Sequence, residues 1–100
     1  MKNIQLTKQA KKKLELIKKS HPKIAKNISA SILNLKEGDE VYKGETLQGY
    51  SDFRKIRVSK YRIIYTFTSD LVTVAIVDKR ETVYQTFTHL MKNSQFLGNK

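Results

Sequence analysis

Residues 53–58, 61–68 and 71–78 are rich in Val, Ile, Thr, Tyr and Phe with a period of two, and only the polar pairs Ser59-Lys60 and Ser69-Asp70 separate them. Links this short join antiparallel neighbours, so the second half of the chain reads as a three-stranded meander. Neither link contains glycine. Register therefore rests on the strand pattern, and a slip of one residue would exchange the two faces of the sheet.

A half-buried sheet needs a covering layer, and the first half of the chain supplies one. Ile4 and Leu6 alternate with polar neighbours as a short strand, and Thr7 is placed to cap a helix over residues 8–19, where Ala10, Leu14 and Ile17 fall on one face. Ser20-His21-Pro22 ends that pattern. Pro22 suits a first helical turn, and Ile24, Ile28, Ile32 and Leu35 predict a second helix over 22–36 that stops at Gly38. The stretch 37–52, with five acids and two further glycines, reads as a loop, and 82–92 as a short C-terminal helix. With 100 residues and 39% hydrophobic content there is material for one core. The expectation is a single α+β domain spanning 1–100: a small antiparallel sheet packed on one face by an N-terminal two-helix hairpin.

Two-residue links set Val58 opposite Tyr61, Arg57 opposite Arg62 and Thr68 opposite Leu71. One face then gathers Ile56, Val58, Tyr61, Ile63, Tyr65, Phe67, Val72, Val74 and Ile76, and is the expected core. The other gathers Lys55, Arg57, Arg62, Ile64, Thr66, Thr73, Ala75 and Val77. Two arginines directly opposite one another cost stability, on the order of the 0.2–1 kcal/mol that cross-strand pairs contribute. Phosphate, which accepts paired hydrogen bonds from guanidinium groups, would offset that cost. Lys79 and Arg80 follow the last strand, and Tyr84 is a ring able to stack on a base beside them.

Twenty Lys and Arg against nine Asp and Glu give a formal charge of +11, which points to a polyanionic partner, nucleic acid first. Lys11, Lys12, Lys13, Lys18 and Lys19 make the first helix a basic surface suited to steering RNA. The chain has no cysteine and only His21 and His89, so neither a thiolate metal site nor a histidine cage is expected, and no cofactor. No apolar run approaches the roughly 18 residues of a membrane span, and a cytoplasmic protein is expected. Gly-rich phosphate loops and Ser/His/Asp sets are absent from the pattern.

Taken together, Leu47-Gln-Gly-Tyr50, Phe53-Arg-Lys-Ile-Arg-Val58, Tyr61-Arg-Ile-Ile-Tyr65 and Asp78-Lys-Arg-Glu-Thr-Val-Tyr84 resemble the RelE/ParE toxin superfamily over nearly the whole chain. The resemblance implies the toxin of a type II toxin-antitoxin system, with a cognate antitoxin that covers its basic surface or displaces its C-terminal helix. Of its two branches, one cuts mRNA in the ribosomal A site and the other inhibits DNA gyrase. Lys55 and Arg57 match the two alternating basic residues of the nuclease branch, Arg62 its Tyr-Arg arginine, Arg80 its post-strand arginine and Tyr84 its C-terminal tyrosine. The chain departs at Lys79, where many relatives have histidine, at Glu81, where a second arginine is frequent, and at Asp78, where glycine is frequent.

An endoribonuclease of this kind needs no metal, because the ribose 2′-hydroxyl attacks the adjacent phosphate. Lys55 is the first candidate for general base, with its neutral amine favoured by the adjacent guanidinium charges. Arg62 and Arg80 would stabilise the transition state, Arg57 would hold the phosphate or assist the leaving oxygen, and Tyr84 would stack on the substrate. A gyrase inhibitor and a catalytically silent nucleic-acid-binding module are the alternatives. One tension remains in the pattern: a regular last strand would put Lys79 on the cationic face and turn Arg80 away, so the resemblance requires a bulge or strand exit near Asp78.

Overall fold

The computed structural model describes residues 1–93. In chain order these are β1 (Asn3–Leu6), α1 (Lys8–Ser20), α2 (Pro22–Asn34), a 3-10 turn (Glu40–Tyr42), β2 (Glu45–Leu47), β3 (Tyr50–Val58), β4 (Tyr61–Phe67), β5 (Leu71–Lys79) and α3 (Val83–Asn93). The strands form one open sheet in the order β1-β5-β4-β3-β2.

The sheet is mixed where a purely antiparallel one was expected, because β1 lies parallel to β5, with Ile4 opposite Val72 and Leu6 opposite Val74. β1 is too short to cover the whole edge of β5. The start of α1 takes over: Thr7 Oγ1 donates to the Ala75 carbonyl at 2.6 Å, and the Gln9 amide both donates to the Val77 carbonyl and accepts from the Val77 amide, each at 3.1 Å. Side chains thus satisfy backbone groups that a longer strand would have paired. Thr7 also caps α1 by accepting from the Ala10 amide.

The expected α2 boundary at 36 falls at Asn34, where the Leu35 amide turns back to the Ile32 carbonyl and tightens the exit. The stretch read as a loop contains a strand. β2 pairs with β3, Glu45 opposite Lys55, through a turn in which Gly49 takes a φ of +83°. Gly44 is also specific: a Cβ there would overlap the Tyr65 hydroxyl, which donates to the Val41 carbonyl at 2.7 Å.

Strands β3 and β4 pair as the two-residue link requires, with Arg57 opposite Arg62 and Val58 opposite Tyr61. Ser59 supplies the missing turn signal by adopting a φ of 57°, and Arg62 Nη1 donates to the Ser59 and Tyr61 carbonyls around it. Between β4 and β5 the register runs as expected from Phe67–Val72 to Tyr65–Val74 and then shifts, so that Ile64 opposes Ile76 and Ala75 is the extra residue of a bulge. The expected faces of Ile76 and Val77 are therefore exchanged. Val77 joins Ala10, Ile17, Ala25, Ile28, Ile32, Tyr61 and Ile63 beneath the helical hairpin, while Ala75 and Ile76 pack with Phe53, Ile64, Val83 and Phe87 beneath α3. The second face is half core and half site.

Past the bulge, Asp78 opposes Arg62 and is 5% exposed. Its carboxylate accepts from Thr86 Oγ1 on α3 at 2.5 Å and from the Lys79 amide at 2.8 Å, and lies 3.4 Å from Lys13 Nζ on α1. One side chain joins β5 to both helices. Burial alone would raise the Asp78 carboxyl, but the Thr86 hydroxyl, the Lys79 amide and the Lys13 charge outweigh it and hold the group below the usual carboxylate range. A carboxyl depressed on folding contributes stability above its unfolded value, about 3.9, and loses that contribution as pH falls through the folded value. Asp78→Asn is expected to lower stability at neutral pH by about 1–3 kcal/mol, and the gap to wild type should shrink below pH ~3.9. Urea unfolding at a series of pH values measures both; a gap that widens on acidification contradicts the assignment.

Candidate functional site

Odd-numbered residues of β3 share the face that α3 partly covers. Phe53 is buried against the Phe87 ring at 5.0 Å between centroids, and Tyr50 meets the same ring edge-on at 5.0 Å. These aromatic contacts seat α3 at one end of the face. Lys55 and Arg57 follow on β3, the first partly buried and the second exposed.

Seating Phe87 inward brings Tyr84, one turn earlier on the helix, over β3. Lys55 Nζ donates to the Tyr84 hydroxyl and lies 4.9 Å from the centre of its ring. Glu45, opposite Lys55 on β2, has a carboxylate oxygen 3.9 Å from the same Nζ. Glu45, Leu47, Gln48, Tyr50, Lys55 and Tyr84 are among the residues around a cleft of about 380 Å³. An adjoining groove of about 270 Å³ is lined by Glu45, Lys55, Ile56, Arg57 and Arg62. The two hollows share Glu45 and Lys55.

Arg62 is half-buried, and one guanidinium nitrogen already holds the Ser59-Lys60 turn. Arg57 is exposed and has no side-chain hydrogen bond or ion pair among the described residues. Its charge is directed at solvent beside another cation, an arrangement that an anion would relieve. Arg80 is likewise exposed. It lies just past β5, where its amide donates to the Lys60 carbonyl, so it stands at the end of the sheet that carries Arg57 and Arg62 and is not under the helices.

Other basic residues singled out in the sequence lie elsewhere. Lys79 opposes Tyr61, a residue of the helical-hairpin core, so its register places it on the opposite face from Lys55. α1 also belongs to that opposite layer. Lys11, Lys12, Lys18 and Lys19 are exposed there, and Lys13 is committed to Asp78. Glu45, Gln48 and Tyr50 were missed, hidden in what reads as an acidic loop. The signal available was Gly49, a turn residue just before the β3 run.

Comparison with known proteins adds three structures and one family. A family model described as the ParE toxin of the type II toxin-antitoxin system parDE matches residues 4–84. The fold is similar to that of the YoeB dimer from Staphylococcus aureus at 19% identity, covering 79% of this chain and 97% of that one with a TM-score of 0.65. It is also similar to the YoeB-YefM complex from the same organism at 20% identity, covering 80% and 98% with a TM-score of 0.63. The E. coli DinJ-YafQ toxin-antitoxin complex matches at 24% identity, covering 83% and 97% with a TM-score of 0.60. No curated protein sequence gives a significant match.

The position of Arg57 and Arg62 leads to a measurable expectation. Replacing either by Ala should reduce the slope of log affinity against log salt for a single-stranded RNA by about 0.7, while Lys79→Ala on the opposite face leaves the slope unchanged. Equal slopes in all three variants would place the RNA somewhere else.

Proposed function

The chain belongs to the ParE toxin family of type II toxin-antitoxin systems, within the RelE/ParE superfamily, and from that premise we propose that it is an endoribonuclease that cuts mRNA on the ribosome. The observation that carries this reading is the meeting of Lys55 and Tyr84 in a cleft that shares Glu45 and Lys55 with the adjoining groove of Arg57 and Arg62. A ring, an amine and two guanidinium groups on one open face are the parts needed to hold a nucleotide and its phosphate.

In this reading the 2′-hydroxyl of the bound nucleotide attacks its own 3′-phosphorus, the bond from phosphorus to the 5′-oxygen of the next nucleotide breaks, and a 2′,3′-cyclic phosphate forms. Lys55, beside the Tyr84 hydroxyl, is the group placed to accept the 2′-hydroxyl proton. Glu45, 3.9 Å away, stabilises the ammonium that results. Arg62 and Arg80 offset the charge that builds on the phosphorane, Arg57 attends the departing oxygen, and the 5′-oxygen leaves with a proton from solvent or from a group presented by the ribosome. Tyr84 stacks on the base and fixes its distance from Lys55.

The site is open and shallow and contributes few groups of its own to orientation. A ribosome that presents mRNA in a distorted, exposed conformation supplies that orientation, so free RNA is expected to be a poor substrate. Lys11, Lys12, Lys18 and Lys19 of α1, on the far side of the sheet from the cleft, are then free to meet ribosomal RNA. A cognate antitoxin is the expected protein partner, and the solved relatives include two toxin-antitoxin or paired complexes, DinJ-YafQ and YoeB-YefM.

The name of the matching family keeps gyrase inhibition as the second reading. The two separate in one pair of assays. The nuclease reading predicts new mRNA 5′ ends with purified ribosomes and unchanged supercoiling by gyrase. Inhibited supercoiling with intact mRNA would establish the second reading instead. Within the first, Lys55→Ala and Arg80→Ala should each lower ribosome-dependent cleavage by about 100-fold or more while keeping the wild-type unfolding midpoint. Cleavage at the wild-type rate in either variant removes that residue from the site.

A further inference from the structure

Helix α3 has two unlike faces. Val83, Phe87, Leu90 and Met91 turn toward the sheet, whereas Tyr84, Gln85, Thr88, His89 and Lys92 are exposed and line a shallow groove of about 410 Å³ along the outside of the helix. Tyr84 and Thr88 also line the cleft that holds Lys55. Tyr84 therefore borders both hollows.

The outer groove is lined by one aromatic, three polar or imidazole groups and one cation, with no acid. α3 carries no acid, although exposed helix faces commonly mix both signs of charge. Gln85 offers an amide that both donates and accepts, Thr88 a hydroxyl, and Lys92 a cation two turns beyond Tyr84. The Asn93 side-chain amide lies 3.1 Å from His89 Nε2. With the amide donating to that nitrogen, the opposite ring nitrogen carries a proton and can donate outward. From Tyr84 to Lys92 the helix rises about 12 Å, enough length for a base and the phosphate beyond it. The family match stops at Tyr84, so these groups extend the site beyond the part of the chain that the match covers.

We propose that the outer face of α3 binds the nucleotide adjacent to the scissile phosphate in single-stranded RNA, with one base on each side of the Tyr84 ring. Gln85 and Thr88 meet the edge of the second base, and Lys92 and His89 take its phosphate. This inference rests on the nuclease reading for the identity of the strand. It adds a determinant of which sequence is held rather than of how the bond is cut.

The test uses the full chain and two probes that it cannot cut, a nucleoside 3′-monophosphate and a 2′-O-methyl trinucleotide of mixed sequence. The wild-type chain should bind the trinucleotide about tenfold or more tightly than the monophosphate, as one additional stacked base contributes. Gln85→Ala combined with Lys92→Glu should erase most of that difference, and Lys92→Arg should retain it. A wild-type chain with no preference for the trinucleotide overturns the proposal, as does a double variant that keeps the full preference. If the trinucleotide behaves as expected but ribosome-bound mRNA stays intact, the nuclease reading fails and the α3 site stands. If cleavage occurs without the trinucleotide preference, the α3 site fails and the nuclease reading stands.

Discussion

One additional residue in β5 arranges the rest of this molecule. The bulge at Ala75 shifts the pleat by one, so Val77 drops into the helical-hairpin core, Ile76 packs under α3, and Asp78 opposes Arg62. A regular strand would have turned Asp78 toward the hairpin and Lys79 toward the cleft. With the bulge, Asp78 holds Thr86 on α3, Ile76 supports Phe87, and the first turn of α3 carries Tyr84 to Lys55. The backbone distortion is held from outside by Thr7 and Gln9, which bind the Ala75 and Val77 backbone where β1 has already ended. Residues 68 positions apart in the chain thus cooperate to place one tyrosine.

Charge is distributed by the same device. The protein carries its basic excess on both sides of the sheet, but the two populations have different surroundings. On the hairpin side the lysines are spread along α1, and Lys13 is tied to a buried carboxylate. On the cleft side Arg57 and Arg62 face each other across adjacent strands, a repulsion that cross-strand pairing disfavours. Glu45 is the acid that lines both hollows there, beside Lys55 and at the open edge of the sheet. An anion arriving from outside would relieve that repulsion.

The parts of this arrangement that depend on local rules were legible in the sequence. A two-residue link sets Arg57 against Arg62 whatever its turn type, and the helical spacing of Ala10, Leu14 and Ile17 requires α1. The parts that depend on long-range compensation were not. Ala75 sits in an unbroken run of strand-forming residues, without the glycine that would mark a bulge, and its distortion is stabilised by Thr7 and Gln9 far away in the chain. The conflict over Arg80 pointed to such an irregularity near Asp78, and it occurs three residues earlier. β2 escaped notice because three residues, Glu45 to Leu47, are too few to show a period. The proximity of Tyr84 to Lys55 came from resemblance alone, since nothing in the spacing of residues 55 and 84 implies contact.

In the proposed function a ribose hydroxyl is the attacking group, positioned by Tyr84 and Lys55 over a phosphate held among arginines. The most direct measurement supplies ribosomes with an mRNA in which the nucleotide on the 5′ side of a mapped cut carries hydrogen in place of that one hydroxyl. Loss of cutting at the altered position, with neighbouring cuts preserved and a 2′,3′-cyclic phosphate on the upstream fragment of each cut in the unaltered mRNA, is the predicted result. Undiminished cutting at the altered position would contradict the account.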